Sequence, residues 1–213
     1  MPLHTTDALI LRTYKLGESD RIVVFLTRDR GKKRGVARNA RQSRRRFGGA
    51  LEPMTYGRVG YVERERRELV RLDYVEPIRS PLSAVREDAL AYVGYFAELI
   101  DEWAPEADPN ETLFRLGASI VDAMAAGVAT EPLARYFEFW LLRLQGVYQA
   151  DPRLSGEARA FLERARASSP FGLSDVAVSP RALRELEGAH RALITLHLEK
   201  ELKSVRVLKG MRR

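Results

Sequence analysis

Hydrophobic and polar positions along the chain change their period once, near residue 80. Before that point apolar residues come in short β-branched and aromatic runs, at 8–11, 22–27, 59–62 and 69–75, separated by Gly, Asp, Ser and Pro. Runs of this kind predict the strands of an antiparallel domain. In the last of them Val70, Leu72 and Tyr74 fall on one face and Arg71 and Asp73 on the other, the alternation of a half-buried strand. The intervening polar stretch is punctuated by Gly31 and Gly35. There a hairpin is expected at 28–30, a strand through Val36 and Ala37 over 32–39, and a mobile loop over 40–49.

After the Pro-containing stretch at 77–81 the spacing becomes helical. Leu90, Val93, Ala97, Ile100 and Trp103 recur at three and four residues, one face of a helix over 88–103. Asp108 as N-cap, Pro109 as first helical residue and Glu111 three after the cap form a capping-box pattern for the next helix. Leu113, Leu116, Ile120, Val121 and Met124 are its stripe, and Gly127 its expected stop. Thr130 and Pro132 open a third helix whose residues 136–144 are apolar on most sides, which predicts a central position. Beyond Gly146 the pattern weakens to a turn at 151–155, a short amphipathic helix over 157–167 and a loop over 168–179. Ser179 and Pro180 then cap a last helix with Ala182, Leu186, Ala189, Leu193 and Leu196 as its seam. The layout is α+β, a β domain over 1–79 followed by an all-helical domain over 80–213.

Composition adds limits. The chain has 213 residues and is 45% hydrophobic, enough to build a core. It has no cysteine, which excludes a disulfide framework, a thiolate metal site and a cysteine nucleophile. The N-terminal apolar run at 8–11, between Asp7 and Arg12, is no signal peptide. No run approaches the ~20 apolar residues that span a bilayer. The expected location is cytoplasmic.

Charge changes the picture most. Residues 28–46 hold ten Lys or Arg and one acid, Asp29, a formal +9 against +7 for the whole chain. The remainder is close to neutral, so the basicity is local. A dense positive patch attracts a polyanion by releasing condensed counterions, and nucleic acid is the foremost candidate. An anionic lipid surface and a merely solvated face are the alternatives. The end of the chain, from Lys200, carries six further basic residues and one acid.

Chemistry for catalysis is sparse. The Gly-rich phosphate loop of nucleotide hydrolases is absent; Gly31-Lys32-Lys33 lacks both the preceding spacing and the hydroxyl. His190 and His197 share a helix face without a zinc-protease spacing, which favours a packed or surface pair. Glu18 and Asp20, flanking Ser19, could hold a catalytic metal in a nuclease, although two acids in such a turn suit capping equally. Tyr14, Phe25, Phe47, Tyr56, Tyr61 and Tyr74 fit strand packing. Phe47, directly after Arg44, Arg45 and Arg46, could instead stack on a base or anchor the loop.

Together these motifs resemble a known family. Gly17-Glu18-Ser19-Asp20-Arg21-Ile22-Val23 with Phe25-Leu26-Thr27, then Gly31-Lys32 and Val36-Ala37, then Arg46-Phe47-Gly48-Gly49-Ala50-Leu51-Glu52-Pro53 are similar to the N-terminal domain of the bacterial recombination mediator RecO. Tyr74-Val75-Glu76-Pro77 resembles the exit from that domain. Phe114-Arg115-Leu116, the stretch 139–146, and Leu202-Lys203-Ser204 with Arg206 and Leu208 resemble its helical part and end.

The resemblance implies an N-terminal OB-fold β-barrel and a helical C-terminal domain. It implies a non-enzymatic mediator of DNA repair and homologous recombination. Such a protein binds single- and double-stranded DNA, anneals complementary strands, and with RecR helps RecA load onto DNA coated by the single-strand binding protein. Its implied partners are DNA, RecR and the acidic C-terminal tail of that binding protein, with no cofactor and no membrane. Its implied location is the nucleoid-associated cytoplasm. Carried over by position, Lys32, Lys33, Arg34, Arg38, Arg41, Arg44, Arg45 and Arg46 are the expected DNA contacts. Many relatives place a four-cysteine zinc motif after the position of Leu144-Gln145-Gly146; here 147–179 has no cysteine, and packing must hold it. Rival readings are a protein-interaction adaptor with little intrinsic DNA binding and the metal-dependent nuclease.

Overall fold

The computed structural model describes residues 2–63, 68–83 and 89–211. Five strands come first: β1 (Leu3–Leu16), β2 (Asp20–Thr27), β3 (Gly31–Ala37), β4 (Tyr56–Val62) and β5 (Val70–Arg79), with the four-residue helix α1 (Arg44–Phe47) between β3 and β4. Helices follow: α2 (Leu90–Trp103), α3 (Glu111–Ala125), α4 (Thr130–Leu144), α5 (Gly156–Ala167), α6 (Pro180–Leu198) and α7 (Lys203–Met211). Asp88, the expected start of α2, lies outside the described residues.

The strands run edge to edge in the order β1-β2-β3-β5-β4, and β4 returns to β1. All pairs are antiparallel except β3 with β5, a parallel seam of three residue pairs from Gly35–Val70 to Ala37–Leu72. Inside this ring sit Ala8, Ile10, Val23, Phe25, Val59, Tyr61, Val70, Leu72 and Val75. The alternation on β5 shifts at a register irregularity between Gly60 and Tyr61. Val75 therefore turns inward, and Tyr74, expected on the buried face, points out toward Thr5.

The second core corrects the expected OB-fold β-barrel followed by an all-helical domain. Leu9, Leu11, Val24 and Leu26, on the opposite faces of β1 and β2, belong with Met54 to the same hydrophobic cluster as the buried residues of α2 to α7. The sheet closes through only the short parallel seam, and it is not a free-standing barrel. Its outer wall is one side of the helical core.

Ionic contacts reinforce that junction. Arg12 of β1 reaches Asp101 at 2.7 Å and Glu102 at 3.5 Å on the last turn of α2. The backbone of Lys32 donates to Pro105 O and accepts from Ala107 N. Gly31, at φ +68, lies so close to the backbone of Asp108 that a Cβ would collide with it. This pinned connection delays α3. Its N-cap is Asn110, whose side chain accepts from Leu113 N at 3.0 Å, two residues after the expected Asp108.

Two further expectations need adjustment. On α6 the buried positions are Ala182, Leu183, Leu186, His190 and Ile194, while Leu196 is 76% exposed. The seam thus rotates toward His190 because Glu138 of α4 takes its ring nitrogen. Residues 203–211, read only as a basic end, form α7. Leu202, Val205 and Leu208 bury against the helical core, and the Glu98 carboxylate of α2 caps the start by accepting from Lys203 N at 3.1 Å and Ser204 N at 2.7 Å.

Candidate nucleic-acid interface

The basic run divides into two halves with different surroundings. Its first half meets acids of the ring and the helices. Arg28 pairs with Glu111 at 3.0 Å, Lys32 with Asp101 at 3.2 Å, Lys33 with Glu63 at 2.8 Å and Arg34 with Glu106 at 2.8 Å. Lys32 is buried, and its Nζ also donates to Asp101 O at 2.6 Å. Lys33 holds the Glu63 carboxyl below the usual carboxylate range. Three of the eight expected DNA contacts, Lys32, Lys33 and Arg34, are therefore engaged with acids, and Lys32 is enclosed at the ring–helix junction.

The second half carries its charge outward. Arg38, Arg41, Arg44 and Arg45 are exposed, and none of them pairs with a carboxylate of the described residues. They sit on a loop braced by hydrogen bonds to the neighbouring hairpin turn. Asn39 turns the chain at φ +53, and its amide donates to the Asp20 carboxylate at 2.8 Å. Arg41 donates from its guanidinium to Glu18 O at 3.0 Å and from its amide to Ser19 O at 3.2 Å. Arg46 turns inward to bond Ser43 Oγ at 2.9 Å and Arg38 O at 2.8 Å, over the Phe47 ring.

Phe47 is 2% exposed and plugs one end of the ring beside Ala50. Of its two expected roles the ring takes the anchor: its faces are spent on packing. Arg44 and Arg45 are thereby held on a single turn of helix, directed away from the plug.

Beside this loop lies a groove of about 570 Å³ lined by Lys15, Arg21 and Arg41, with Phe47, Leu51 and Pro53 as apolar lining. Lys15 and Arg21 were not among the expected contacts. The signal was present in the sequence, because they flank the Gly17–Ser19 turn symmetrically and the hairpin register brings such positions together.

The nuclease alternative rested on Glu18 and Asp20. The Asp20 carboxylate serves the turn, accepting from Asn39 N and, at 3.4 Å, from the Ser19 hydroxyl. Among the described residues no group of three or more His, Cys, Asp or Glu could hold a metal ion. The cysteine-free segment after Gly146 is held by packing and helix caps. Tyr148 packs on Phe139 and His190, and Trp140 Nε1 donates to Ala165 O at 3.1 Å. The caps of α5 and α6 are exchanged: Glu185 accepts from Ser155 N at 3.1 Å, and Glu157 accepts from Ser179 N at 2.6 Å. A zinc motif does not fit these residues.

A second groove, about 600 Å³, opens between the ring and the helices. Arg28, Arg79 and Arg115 line it together with Tyr56, Phe114 and Trp140. Arg79 spans its rim, pairing with Asp122 at 2.5 Å with its guanidinium over the Tyr56 ring. No helix among the described residues is long and apolar enough to cross a membrane.

Comparison with known proteins matches residues 1–81 to the family model described as Recombination protein O N terminal and residues 87–149 to Recombination protein O C terminal. A DNA repair protein RecO of Koribacter versatilis is 46% identical over 146 residues, which cover 68% of this chain and 59% of that protein. One from Anaeromyxobacter sp. strain K is 42% identical over 153 residues, covering 71% and 59%. The chain thus aligns with about three fifths of the length of these relatives. With the DNA repair protein RecO of Geobacter metallireducens the alignment is 32% identical over 239 positions and covers 96% of each chain. On that end-to-end match and on the two family models, the chain belongs to the recombination protein O family.

Proposed function

We propose that this protein is a DNA-binding mediator of repair and recombination that anneals complementary strands and, with RecR, helps RecA load onto single strands coated by their binding protein. The observation that carries this reading is the set of exposed arginines, Arg38, Arg41, Arg44 and Arg45, none ion-paired to a carboxylate of the described residues, on a loop braced by Asp20 and anchored by Phe47. Cations held on a braced support and not neutralised by a carboxylate of the described residues suit phosphate contacts, which position a strand without reading its bases. Annealing any sequence requires that tolerance. The role needs no catalytic group, and the work is done by binding and release.

The charge of the second groove supports it as the docking place for the acidic tail of the single-strand binding protein. Arg28, Arg79 and Arg115 supply charge for its carboxylates, beside the aromatic side chains of Tyr56, Phe114 and Trp140. Engagement there would exchange the internal pairs to Glu111 and Asp122 for the tail's acids. The same reading places the protein on the nucleoid, in the cytoplasm.

The test is fluorescence-anisotropy binding of a labelled unstructured single strand across a salt series. With about five phosphates neutralised, affinity falls roughly a hundredfold between roughly 50 and 200 mM salt, at a slope near −0.7 per contact. Salt-independent binding, or none at low salt, refutes the reading and leaves the adaptor. Magnesium-dependent cleavage of the strand that is lost in Asp20→Asn would establish the nuclease instead.

A further inference from the structure

Lys15 of β1 and Arg21 of β2 stand directly opposite each other in the antiparallel register. Like charges in that position destabilise a strand pair. Neither is ion-paired to a carboxylate of the described residues. Arg41 brings a third cation to the same groove, its guanidinium aimed by Glu18 O and its amide fixed by Ser19 O. Glu52 is the one acid in the lining, and it is paired with none of the three. Thr13, also in the lining, spends its hydroxyl on Leu51 O at 2.8 Å.

Three cations from three different segments thus converge with little to neutralise them, beside an apolar surface formed by Leu51, Pro53 and the edge of Phe47. The groove's volume lies within the ~300–1,000 Å³ of sites that hold one small ligand. Resting on the DNA-binding reading above, the geometry points to a seat for one backbone phosphate of a single strand at Lys15, Arg21 and Arg41, with the adjoining sugar against Leu51 and Pro53.

The seat selects single strands over duplex. A flexible strand can turn one phosphate and its sugar into the groove. A duplex, stiff over ~150 base pairs, keeps its backbone on the outside of a rod and meets mainly the outer arginines Arg38, Arg44 and Arg45. The repulsion between Lys15 and Arg21 is then relieved by the ligand.

The experiment compares the full chain with Lys15→Gln/Arg21→Gln and with Arg44→Ala/Arg45→Ala. The probes are a labelled oligothymidylate and a labelled blunt duplex of the same length, each titrated across a salt series, with unlabelled ATP as competitor. In Lys15→Gln/Arg21→Gln, oligothymidylate affinity falls about tenfold and its salt slope flattens by about 1.4, the share of two contacts. The duplex loses at least fivefold less, and thermal stability is not reduced. Arg44→Ala/Arg45→Ala weakens both probes to a similar degree. Equal losses on both probes in the first variant overturn the selectivity. No loss there, with a loss in the second variant, overturns the seat but leaves the DNA-binding reading standing. Competition by ATP as strong as by unlabelled oligothymidylate overturns the strand as its occupant. Wild type that binds neither probe overturns the reading on which the seat rests. Lys15→Arg/Arg21→Lys, which keeps the charges, restores most of the lost affinity.

Discussion

Arg135 and Glu138, one turn apart on α4 and both sealed from solvent, form an ion pair with 3.0 Å between Nη2 and Oε1. The carboxylate also accepts from Tyr95 OH of α2 at 2.6 Å and from His190 Nδ1 of α6 at 3.0 Å. Three helices of an otherwise apolar core are tied together through this one side chain. Burial first, and then the neighbouring carboxylate, push the Tyr95 hydroxyl well above its ordinary range, so it remains the donor.

Removing the carboxylate leaves a buried guanidinium without its countercharge. Glu138→Ala is expected to lose about 3–5 kcal/mol of stability, read as a lowered Tm or denaturant midpoint. Arg135→Met/Glu138→Leu, which removes both charges at similar volume, loses far less than Glu138→Ala. If the double variant is as unstable as the single one, the pair contributes by geometry rather than by charge balance.

Glu98 makes the attachment of α7 sensitive to acid. Burial alone would raise its carboxyl, but the Ser204 and Lys203 amides and Arg12 outweigh that and hold it below its ordinary range. A group depressed in the folded state contributes stability above its unfolded value, near ~4.3, and loses it as pH falls through the folded value. Amides of α7 are expected to lose hydrogen-exchange protection on acidification below the ordinary carboxylate range, before those of α2. Glu98→Gln shows that loss already at neutral pH, at a cost of roughly 1–2 kcal/mol.

Arg44, Arg45 and Arg46 are adjacent in sequence but different in role. Arg44→Ala/Arg45→Ala leaves stability within about 0.5 kcal/mol of wild type while flattening the salt slope of strand binding by about 1.4. Arg46→Ala instead removes the bonds to Ser43 and Arg38 and loosens the loop, seen as faster amide exchange at 39–46. A triple alanine variant would mix the two effects.

Phe47→Ala is expected to cost about 3–5 kcal/mol, as for a buried ring that leaves a cavity. Phe47→Leu should recover most of that stability and of the DNA affinity, which a base-stacking role would not permit.

Tyr61 is buried in the core of the ring with no hydrogen-bond partner for its hydroxyl among the described residues. Burial pushes that hydroxyl up to about 12. Tyr61→Phe removes an unpaired buried polar atom and is expected to leave the Tm unchanged or raised, by no more than the equivalent of about 1–3 kcal/mol.

Local patterns located every strand and helices α2 to α6, because alternation and three-four spacing are short-range signals, while the single turn α1 fell inside a stretch read as a loop. What they missed was set by distant groups. The cap of α3 moved from Asp108 to Asn110 because β3 pins the chain before it. The face of α6 turned because Glu138, some fifty residues earlier, attracts His190. α7 has only nine residues and needs Glu98 of α2 to close its first turn, so its own sequence looked like a charged end. The candidate interface behaved the same way. Ten basic residues stood out as one run, yet which of them are neutralised depended on acids at 63, 101, 106 and 111 that only the folded chain brings near.

Strand β1 alternates its allegiance, with Ala8 and Ile10 inside the ring and Leu9 and Leu11 in the helical core. A strand shared in this way cannot melt for one neighbour and persist for the other. Heat and denaturant therefore encounter a single cooperative unit. Fluorescence of Trp103 and Trp140, both on helices, and the near-ultraviolet signal of Tyr61 in the ring should trace one coincident transition. A fragment ending after β5 would present Leu9, Leu11, Val24 and Leu26 to water as an adhesive strip, and it would self-associate rather than stand alone.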